Sequence, residues 1–257
     1  MVPPVRRESL LSVVAAVYNE EACLREFVAR LDRTVSNAAC PTEFVLVDDG
    51  STDATFAIIE ELAAKDARVR GIRLARNEGH QNALMCGMAC ARGDVIVTMD
   101  ADLQHPPEHI PAMLEAWRQG YDIVHMVRRA DGQSPLRMAL GNAFYTIFNA
   151  VSDVAVPPRS TDFRLLNREC LDALTREWRK RQFLRSAARR IGYRQTELAF
   201  DAPDRFAGQS SYTLPKLVSL ASRAVISAVR GKVGAGFGHG HRGISEQTTD
   251  RAVGPKP

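Results

Sequence analysis

Two aspartates separated by one residue, Asp100 and Asp102, directly follow a short apolar and β-branched run at 95–99. The side chain of Gln104 comes two residues later. Carboxylate and amide oxygens are the hard ligands that Mg²⁺ and Mn²⁺ prefer, and Mg²⁺ often shares its coordination with substrate phosphates. The three side chains therefore predict a divalent-metal site. An ordinary polar turn after a strand is the alternative that an Asp-x-Asp pair alone leaves open.

The apolar run before Asp100 is typical of a buried strand in a parallel sheet. Further apolar runs at 11–17, 44–47 and 72–74 alternate with helical patterns, of which 24–35 is the most clearly amphipathic. Such alternation with short turns predicts an α/β fold, a mostly parallel sheet flanked by helices with right-handed crossovers. Ligands of these sheets bind at the carboxyl ends of the strands.

Polar residues also follow the first and second predicted strands, at 18–21 and 48–53, and Asn19 is predicted as a helix N-cap. The sequence has no G-x-G-x-x-G after the first strand and no G-x-x-x-x-G-K-S/T. These absences argue against a dinucleotide oxidoreductase and against a P-loop enzyme. A site made of carboxylates instead of a glycine-rich nest must recruit a cation to hold phosphates.

A charged pair brackets Phe163 in the sequence Asp162-Phe163-Arg164. Residues two apart in a strand point to the same side, so Asp162 and Arg164 are predicted to face one pocket. A simple pair on the surface of a strand is the other interpretation of the same pattern.

The composition favours one sizeable globular domain, with 257 residues of which 45% are hydrophobic. A net charge of +4 gives no reason to expect a nucleic-acid partner. The five cysteines include no C-x-x-C pair, which argues against a disulfide framework or a zinc ribbon. We find no signal peptide and no apolar segment that reaches the roughly 18 residues of a membrane span.

The C-terminal third is more basic. The run 176–194 is predicted to be either a solvated helix face or a face turned to an anionic membrane or a phosphate-bearing substrate. Residues 1–213 are predicted as the catalytic domain. Residues 214–230 are predicted as an amphipathic helix, either on a membrane surface or packed on the domain. Residues 231–257 form a Gly-rich stretch that we expect to be disordered.

Six motifs occur in one order along residues 10–215, and together they resemble a known family. The motifs are VYNE (17–20), VDDGSTD (47–53), RNEGHQNA (76–83), DADLQHPPE (100–108), DFRLLNR (162–168) and RFAGQSSY (205–212). By these motifs the chain resembles the family 2 inverting glycosyltransferases of the GT-A fold, and most closely the polyprenyl-phosphate group that includes the dolichol-phosphate mannosyltransferases.

The resemblance implies a role for residues at each strand end. The residues expected to bind the nucleotide sugar are Tyr18, Glu20, Asp49, Arg76 and Asp100. Asp100, Asp102 and Gln104 are expected to bind a Mg²⁺ or Mn²⁺ ion that contacts the diphosphate. The catalytic positions are Asp162, as proposed base, and Arg164. The resemblance implies that Arg128, Arg205 and Ser210 bind the acceptor or the phosphates of donor or acceptor.

The resemblance further implies transfer of a hexose, with inversion, from a UDP- or GDP-linked donor to a polyprenyl phosphate. A phosphate monoester is already largely ionised at neutral pH, with a second pKa of about 6, so Asp162 would then mainly orient Arg164 or the acceptor. An alternative acceptor is a glycan or another hydroxyl compound, for which Asp162 would be an obligatory base. A non-catalytic nucleotide-sugar binding module is the third possibility.

Two departures from the family bear on the acceptor. Relatives usually carry Lys where this chain has Ser211, and many continue into transmembrane helices where this chain has its Gly-rich stretch. We therefore expect a cytoplasmic protein that is peripheral at the inner face of the membrane, or attached through a membrane partner or a homo-oligomer. A truncated C-terminus is the other explanation.

Overall fold

The computed structural model describes residues 9–36, 40–129, 145–150, 152, 154–181 and 183–203. Its centre is a seven-stranded sheet in the order β3-β2-β1-β4-β6-β5-β7. Strand β6 is antiparallel to both its neighbours, and the other neighbouring pairs are parallel. The strands are β1 (Leu11–Val17), β2 (Thr42–Asp48), β3 (Val69–Arg73), β4 (Val95–Asp100), β5 (Ile123–Arg128), β6 (Ser160–Asn167) and β7 (Gln195–Phe200).

Helices cover both faces of the sheet, so the predicted α/β architecture is confirmed. One face packs against α1, α2 and α4, and the other packs against α3, α5 and α6. The helices are α1 (Leu24–Val35), α2 (Thr55–Lys65), α3 (His80–Cys90), α4 (Ile110–Arg118), α5 (Arg168–Arg181) and α6 (Leu184–Arg190), with a 3₁₀ turn at Pro107–His109 before α4.

The amphipathic pattern of α1 is confirmed, because its apolar stripe is buried in the core. The predicted N-cap is wrong: α1 begins at Leu24 after Cys23, and Asn19 lies in the preceding loop with φ at +54°. The physical reason is that the Asn19 side chain is engaged elsewhere, as the acceptor of a 2.9 Å hydrogen bond from the Thr52 N–H. Strand β3 ends one residue before Leu74, which the sequence pattern had included.

The antiparallel placement of β6 brings the start of that strand to the carboxyl end of β4. Thr98 pairs with Arg164 in the register. The Thr98 hydroxyl donates a 2.6 Å hydrogen bond to the backbone oxygen of Asp162. Because side chains alternate along a strand, Asp100 and Asp162 lie at the same edge and on the same face of the sheet. That face is the one covered by α3, α5 and α6.

Several predicted features lie outside the described residues. They are Arg205, Ser210 and Ser211, the domain boundary at 213, the helix predicted at 214–230 and the stretch 231–257. Residues 145–150, which stand between two gaps in the described part of the chain, are helical. Within the described part of the chain, we find no helix with the length and apolarity needed to cross a bilayer.

Candidate functional site

The loops that follow β1 and β2 are bound to each other by backbone-to-side-chain hydrogen bonds. The Asn19 N–H donates to Ser51 Oγ at 2.9 Å, and the Thr52 N–H donates back to Asn19 Oδ1 at the same distance. The Glu20 N–H donates to Thr55 Oγ1 at 2.8 Å. The first two strand ends therefore form one rim of the site, as expected for the carboxyl edge of a parallel sheet.

Asp49 fixes the next loop along this rim. Its two oxygens accept the backbone N–H groups of Glu78 at 2.7 Å and of Gly79 at 3.0 Å. Burial raises the pKa of the Asp49 carboxyl above its ordinary value, although these two hydrogen bonds oppose the shift. Asp49 thus holds the backbone immediately before α3, while Tyr18 and Arg76 of the same predicted pocket are exposed.

His105 determines the conformation of the loop after β4. The Asp100 N–H donates a 2.9 Å hydrogen bond to His105 Nδ1, and the His105 ring stacks on Phe163 with 5.2 Å between ring centroids. Leu103 adopts φ of +64° within this tight turn. Burial lowers the pKa of His105, and its Nδ1 is an acceptor, so the ring is neutral. This residue positions Asp100, and the sequence interpretation missed it.

The predicted metal ligands lie together at the end of β4. Asp102 Oδ1 accepts the Gln104 N–H at 3.0 Å, which folds the Asp-x-Asp segment into a turn. Gln104 Oε1 lies 3.5 Å from Arg128 Nη2. Asp100 Oδ1 is buried and has no hydrogen-bond partner within the described structure, although His80 Nε2 lies 3.1 Å away. Two carboxylates and an amide oxygen within one short turn are the ligand types that a hard divalent cation prefers.

The described residues contain no cluster of three His, Cys, Asp or Glu side chains suited to a metal ion. This is consistent with the predicted set, because its third oxygen is the amide of Gln104. Two carboxylates with few further protein ligands is the usual Mg²⁺ arrangement, in which substrate phosphates complete the coordination.

His80, the first residue of α3, lies between the two aspartates of the sheet edge. Its Nε2 is 3.1 Å from Asp100 Oδ1 and 4.0 Å from Asp162 Oδ2. Burial would lower the pKa of His80, but the Asp100 and Asp162 carboxylates outweigh it and raise the pKa to about 9. Burial would raise the pKa of Asp100, but His105, His80 and Arg185 lower it below the usual carboxyl range. His105 is neutral at neutral pH and lowers the Asp100 pKa only below its own lowered pKa, so at neutral pH His80 and Arg185 are the cations that face Asp100.

Both oxygens of Asp162 are bound by arginines. Arg164 Nη2 donates to Oδ1 at 2.6 Å, and Arg185 Nη2 donates to Oδ2 at 3.1 Å. Asp162 is only 2% exposed. Burial would raise the pKa of Asp162, but the Arg185 and Arg164 guanidinium groups outweigh it and lower the pKa. The carboxylate is therefore ionised at neutral pH and is a weak proton acceptor.

Arg164 is bound on several sides, and the predicted pairing with Asp162 is confirmed. The guanidinium also donates to the backbone oxygens of Leu184 and Thr161, both at 3.1 Å. Burial lowers the pKa of Arg164 to about 10, so it remains charged at neutral pH. Arg164 therefore joins the start of α6 to the start of β6 and fixes the position of Asp162.

Most described arginines of the basic run 176–194 have partners on the domain itself. Arg189 bonds Glu197 at 2.6 Å, Arg190 lies 3.3 Å from Glu177, and Arg194 lies over the Tyr121 ring. Arg185 differs, because it turns to Asp162 at the edge of the sheet. The sequence pattern of the basic run does not distinguish Arg185 from its neighbours. Its contact with Asp162 depends on where the short helix α6 packs.

Comparison with known proteins places this geometry in context. The model of the family described as "Glycosyl transferase family 2" matches residues 12–191. The chain is 36% identical over 211 residues to the uncharacterized glycosyltransferase YkcC of Bacillus subtilis, covering 82% of this chain and 65% of the relative. It is 34% identical over 212 residues to the undecaprenyl-phosphate 4-deoxy-4-formamido-L-arabinose transferase of Aeromonas hydrophila, covering 82% of this chain and 65% of the relative.

Among solved structures, glucosyl-3-phosphoglycerate synthase of Mycobacterium tuberculosis in complex with Mn²⁺, UDP-glucose and phosphoglyceric acid has a similar fold. The TM-score is 0.57 at 16% sequence identity, over 87% of this chain and 79% of that chain. Mannosyl-3-phosphoglycerate synthase of Rubrobacter xylanophilus gives a TM-score of 0.57 at 16% identity, over 92% and 79% of the two chains. These similarities describe the architecture of the sheet and its helices.

Proposed function

The chain belongs to glycosyltransferase family 2, and we propose that it transfers a hexose with inversion from a nucleoside-diphosphate sugar to a polyprenyl phosphate. The chain spans 65% of the length of the two relatives compared above, so the whole activity, with its donor and acceptor, is part of the proposal. The similarity to the Aeromonas undecaprenyl-phosphate 4-deoxy-4-formamido-L-arabinose transferase supports a lipid-phosphate acceptor.

The state of Asp162 carries the proposal. A hydroxyl nucleophile needs a base that accepts its proton, and the best bases have a pKa near the working pH. The Asp162 carboxylate instead has a lowered pKa and both oxygens bound by guanidinium groups. A phosphate monoester needs no such base, since it is largely ionised at neutral pH. This geometry favours a phosphate acceptor over a glycan or another hydroxyl compound.

The reaction requires one bond to form and one to break at the anomeric carbon. An oxygen of the acceptor phosphate attacks that carbon from the face opposite the diphosphate. The bond from the carbon to the diphosphate oxygen breaks, and its electron pair stays on the leaving nucleoside diphosphate. Arg128, beside Gln104, supplies positive charge near the proposed metal ligands.

A divalent cation held by Asp100, Asp102 and Gln104 would act as a Lewis acid that stabilises the leaving diphosphate. His105 orients Asp100 through its backbone N–H, and Asp49 fixes the loop before α3. The Mycobacterium tuberculosis structure contains Mn²⁺ and UDP-glucose, which supports a divalent cation and a nucleoside-diphosphate sugar as the molecules bound here. Whether the nucleotide is UDP or GDP is to be tested. We further propose that the protein works at the cytoplasmic surface of a membrane, where such an acceptor lies.

A donor panel tests the function. The full chain is incubated with radiolabelled UDP- or GDP-hexoses, Mn²⁺ or Mg²⁺, and a short polyprenyl phosphate in detergent, and label is counted after organic extraction. We expect one donor to give a metal-dependent glycolipid with the opposite anomeric configuration. Binding of a donor without transfer or hydrolysis would identify a non-catalytic binding module.

A further inference from the structure

Two guanidinium groups share the single carboxylate of Asp162, so one of their two positive charges has no carboxylate of its own once Asp100 is assigned to the proposed metal. Arg164 and Arg185 each bond one of its oxygens. The next carboxylate, Asp100, is already assigned to the metal. Buried charges in proteins are normally matched by partners, so an excess cation beside a substrate site indicates a bound anion.

Arg185 is the member of the pair that a ligand can reach. The Arg164 side chain is 1% exposed and its guanidinium is bonded to Asp162 and to backbone oxygens. The Arg185 side chain is 30% exposed. The Nε–H groups of both arginines are buried and have no hydrogen-bond partner among the described residues, so exposure is what separates the two side chains. An unsatisfied buried donor of a charged group is unfavourable and is expected to be satisfied when a ligand binds.

The orientation of Arg185 is fixed by two contacts on different sides. Nη2 donates to Asp162 at 3.1 Å, and Nη1 donates to the hydroxyl of Tyr145 at 3.0 Å. Tyr145 is itself buried in a small apolar cluster with Phe148, Val156 and Phe183. A guanidinium held in this way loses little conformational freedom when it binds a further oxygen, which suits planar recognition of a phosphate.

We propose that Arg185 binds a phosphate oxygen in this site, and that Asp162 and Tyr145 are the residues that position it. The inference rests on the proposed function and extends it, because it assigns Arg185 a contact with substrate and assigns Asp162 a positioning role. The shared chemistry is a phosphate oxyanion, which comes either from the donor diphosphate or from the acceptor phosphate.

Binding titrations of the full chain separate these two sources without requiring turnover. One probe is UDP or GDP with Mn²⁺, and the other is a short polyprenyl phosphate, compared with the alcohol of the same chain length. The variants are Arg185→Gln, Arg185→Lys and Tyr145→Phe, and thermal unfolding checks that each is folded. Arg189→Gln is the matched control, because Arg189 lies one turn further along α6 and bonds Glu197.

We expect Arg185→Gln to lower the affinity for one phosphate probe by about tenfold or more, the loss typical of a charge-assisted hydrogen bond. The affinity of this variant for the alcohol, and the affinities of Arg189→Gln for all probes, should stay unchanged. The probe that weakens identifies the source of the phosphate. Unchanged binding of both probes overturns the proposal, even if the donor panel succeeds. Should Arg185→Gln not fold, weaker phosphate binding by Arg185→Lys and Tyr145→Phe supports the proposal, and unchanged binding by both overturns it. Failure of the wild type in the donor panel, with phosphate binding intact, removes only the proposed function.

Discussion

Arg164 Nη2 donates a 2.6 Å hydrogen bond to Asp162 Oδ1, and the two residues point to the same side of β6 with 1% and 2% exposure. A buried ion pair of this kind contributes little net stability, but removing one partner leaves the other charge unmatched. The pair therefore acts as a fixed unit. It holds Asp162 ionised and leaves its second oxygen for Arg185.

Removing a proposed metal ligand will weaken metal binding directly. We expect Asp102→Asn to lower Mn²⁺ affinity by more than the roughly 100-fold that changes around a metal site typically cost. Electron paramagnetic resonance of free Mn²⁺, with UDP or GDP present, measures this without turnover. Asp94→Asn is the control, since Asp94 lies before β4 at the opposite edge and bonds the Leu10 N–H. Equal Mn²⁺ affinity in the two variants would argue against the assignment.

Replacing His105 will act on the metal site through Asp100. His105→Phe keeps an aromatic ring against Phe163 but removes the acceptor of the Asp100 N–H. We expect about a 10–100-fold loss of Mn²⁺ affinity and a loss of about 1–3 kcal/mol in the free energy of unfolding. His109→Phe is matched, because His109 contacts Phe200 at its edge and lies outside this hydrogen bond. A variant with normal Mn²⁺ affinity would remove the positioning role.

The pKa of His80 predicts a pH-dependent stability in metal-free protein. Its folded-state pKa of about 9 is above the ordinary 6.5, so the stabilisation is complete below pH 6.5 and disappears as the pH rises through 9. Urea unfolding of wild type and His80→Gln in EDTA measures it. The difference in free energy of unfolding should shrink between these two pH values. A difference that stays constant from pH 6 to pH 10 would contradict the pKa.

Substitution of two glycines near the site, Gly50 and Gly79, distinguishes the cost of backbone strain from the cost of close packing. Gly50 has φ of +72°, and an added Cβ would lie 2.7 Å from backbone atoms of Arg76 and Asn77. Gly79 has φ of +93° with open space around it. Gly79→Ala should cost about 1–3 kcal/mol, because φ of +93° with ψ of +147° is a conformation that essentially only glycine adopts, and Gly50→Ala should cost clearly more in the same urea titration. Equal losses in the free energy of unfolding would mean that the loop after β3 moves away from the added Cβ of Gly50→Ala without cost.

The sequence predicted the parts of the fold that depend on local patterns. The apolar runs gave β1, β2 and β4, and the spacing of α1 gave its buried face. The spacing of Asp162 and Arg164 correctly predicted that the two side chains lie together. The roles assigned to Asp100, Asp102 and Gln104 remain predictions, although a hydrogen bond from the Gln104 N–H to Asp102 Oδ1 folds the segment that contains them into a turn.

Contacts between distant segments could not be predicted from local patterns. The antiparallel insertion of β6 beside β4 depends on the whole topology, and it alone puts Asp162 next to Asp100. The approach of Arg185 to Asp162 follows from the packing of α6, so a basic run gave no reason to choose it. His80 and His105 lie within two of the motifs, but the pattern did not indicate that His80 lies between Asp100 and Asp162 or that the buried His105 lies beside Asp100.

The acceptor specificity of Asp162→Asn tests the central claim most directly. Wild type and variant are compared with the active donor, using polyprenyl phosphate and the matching polyprenol as acceptors. We predict that wild type glycosylates only the phosphate, and that the variant keeps measurable transfer to it despite weaker phosphate binding and lower stability. Transfer by wild type to the polyprenol, and loss of all transfer in a folded variant that still binds both substrates, would show that Asp162 is a base and contradict this account.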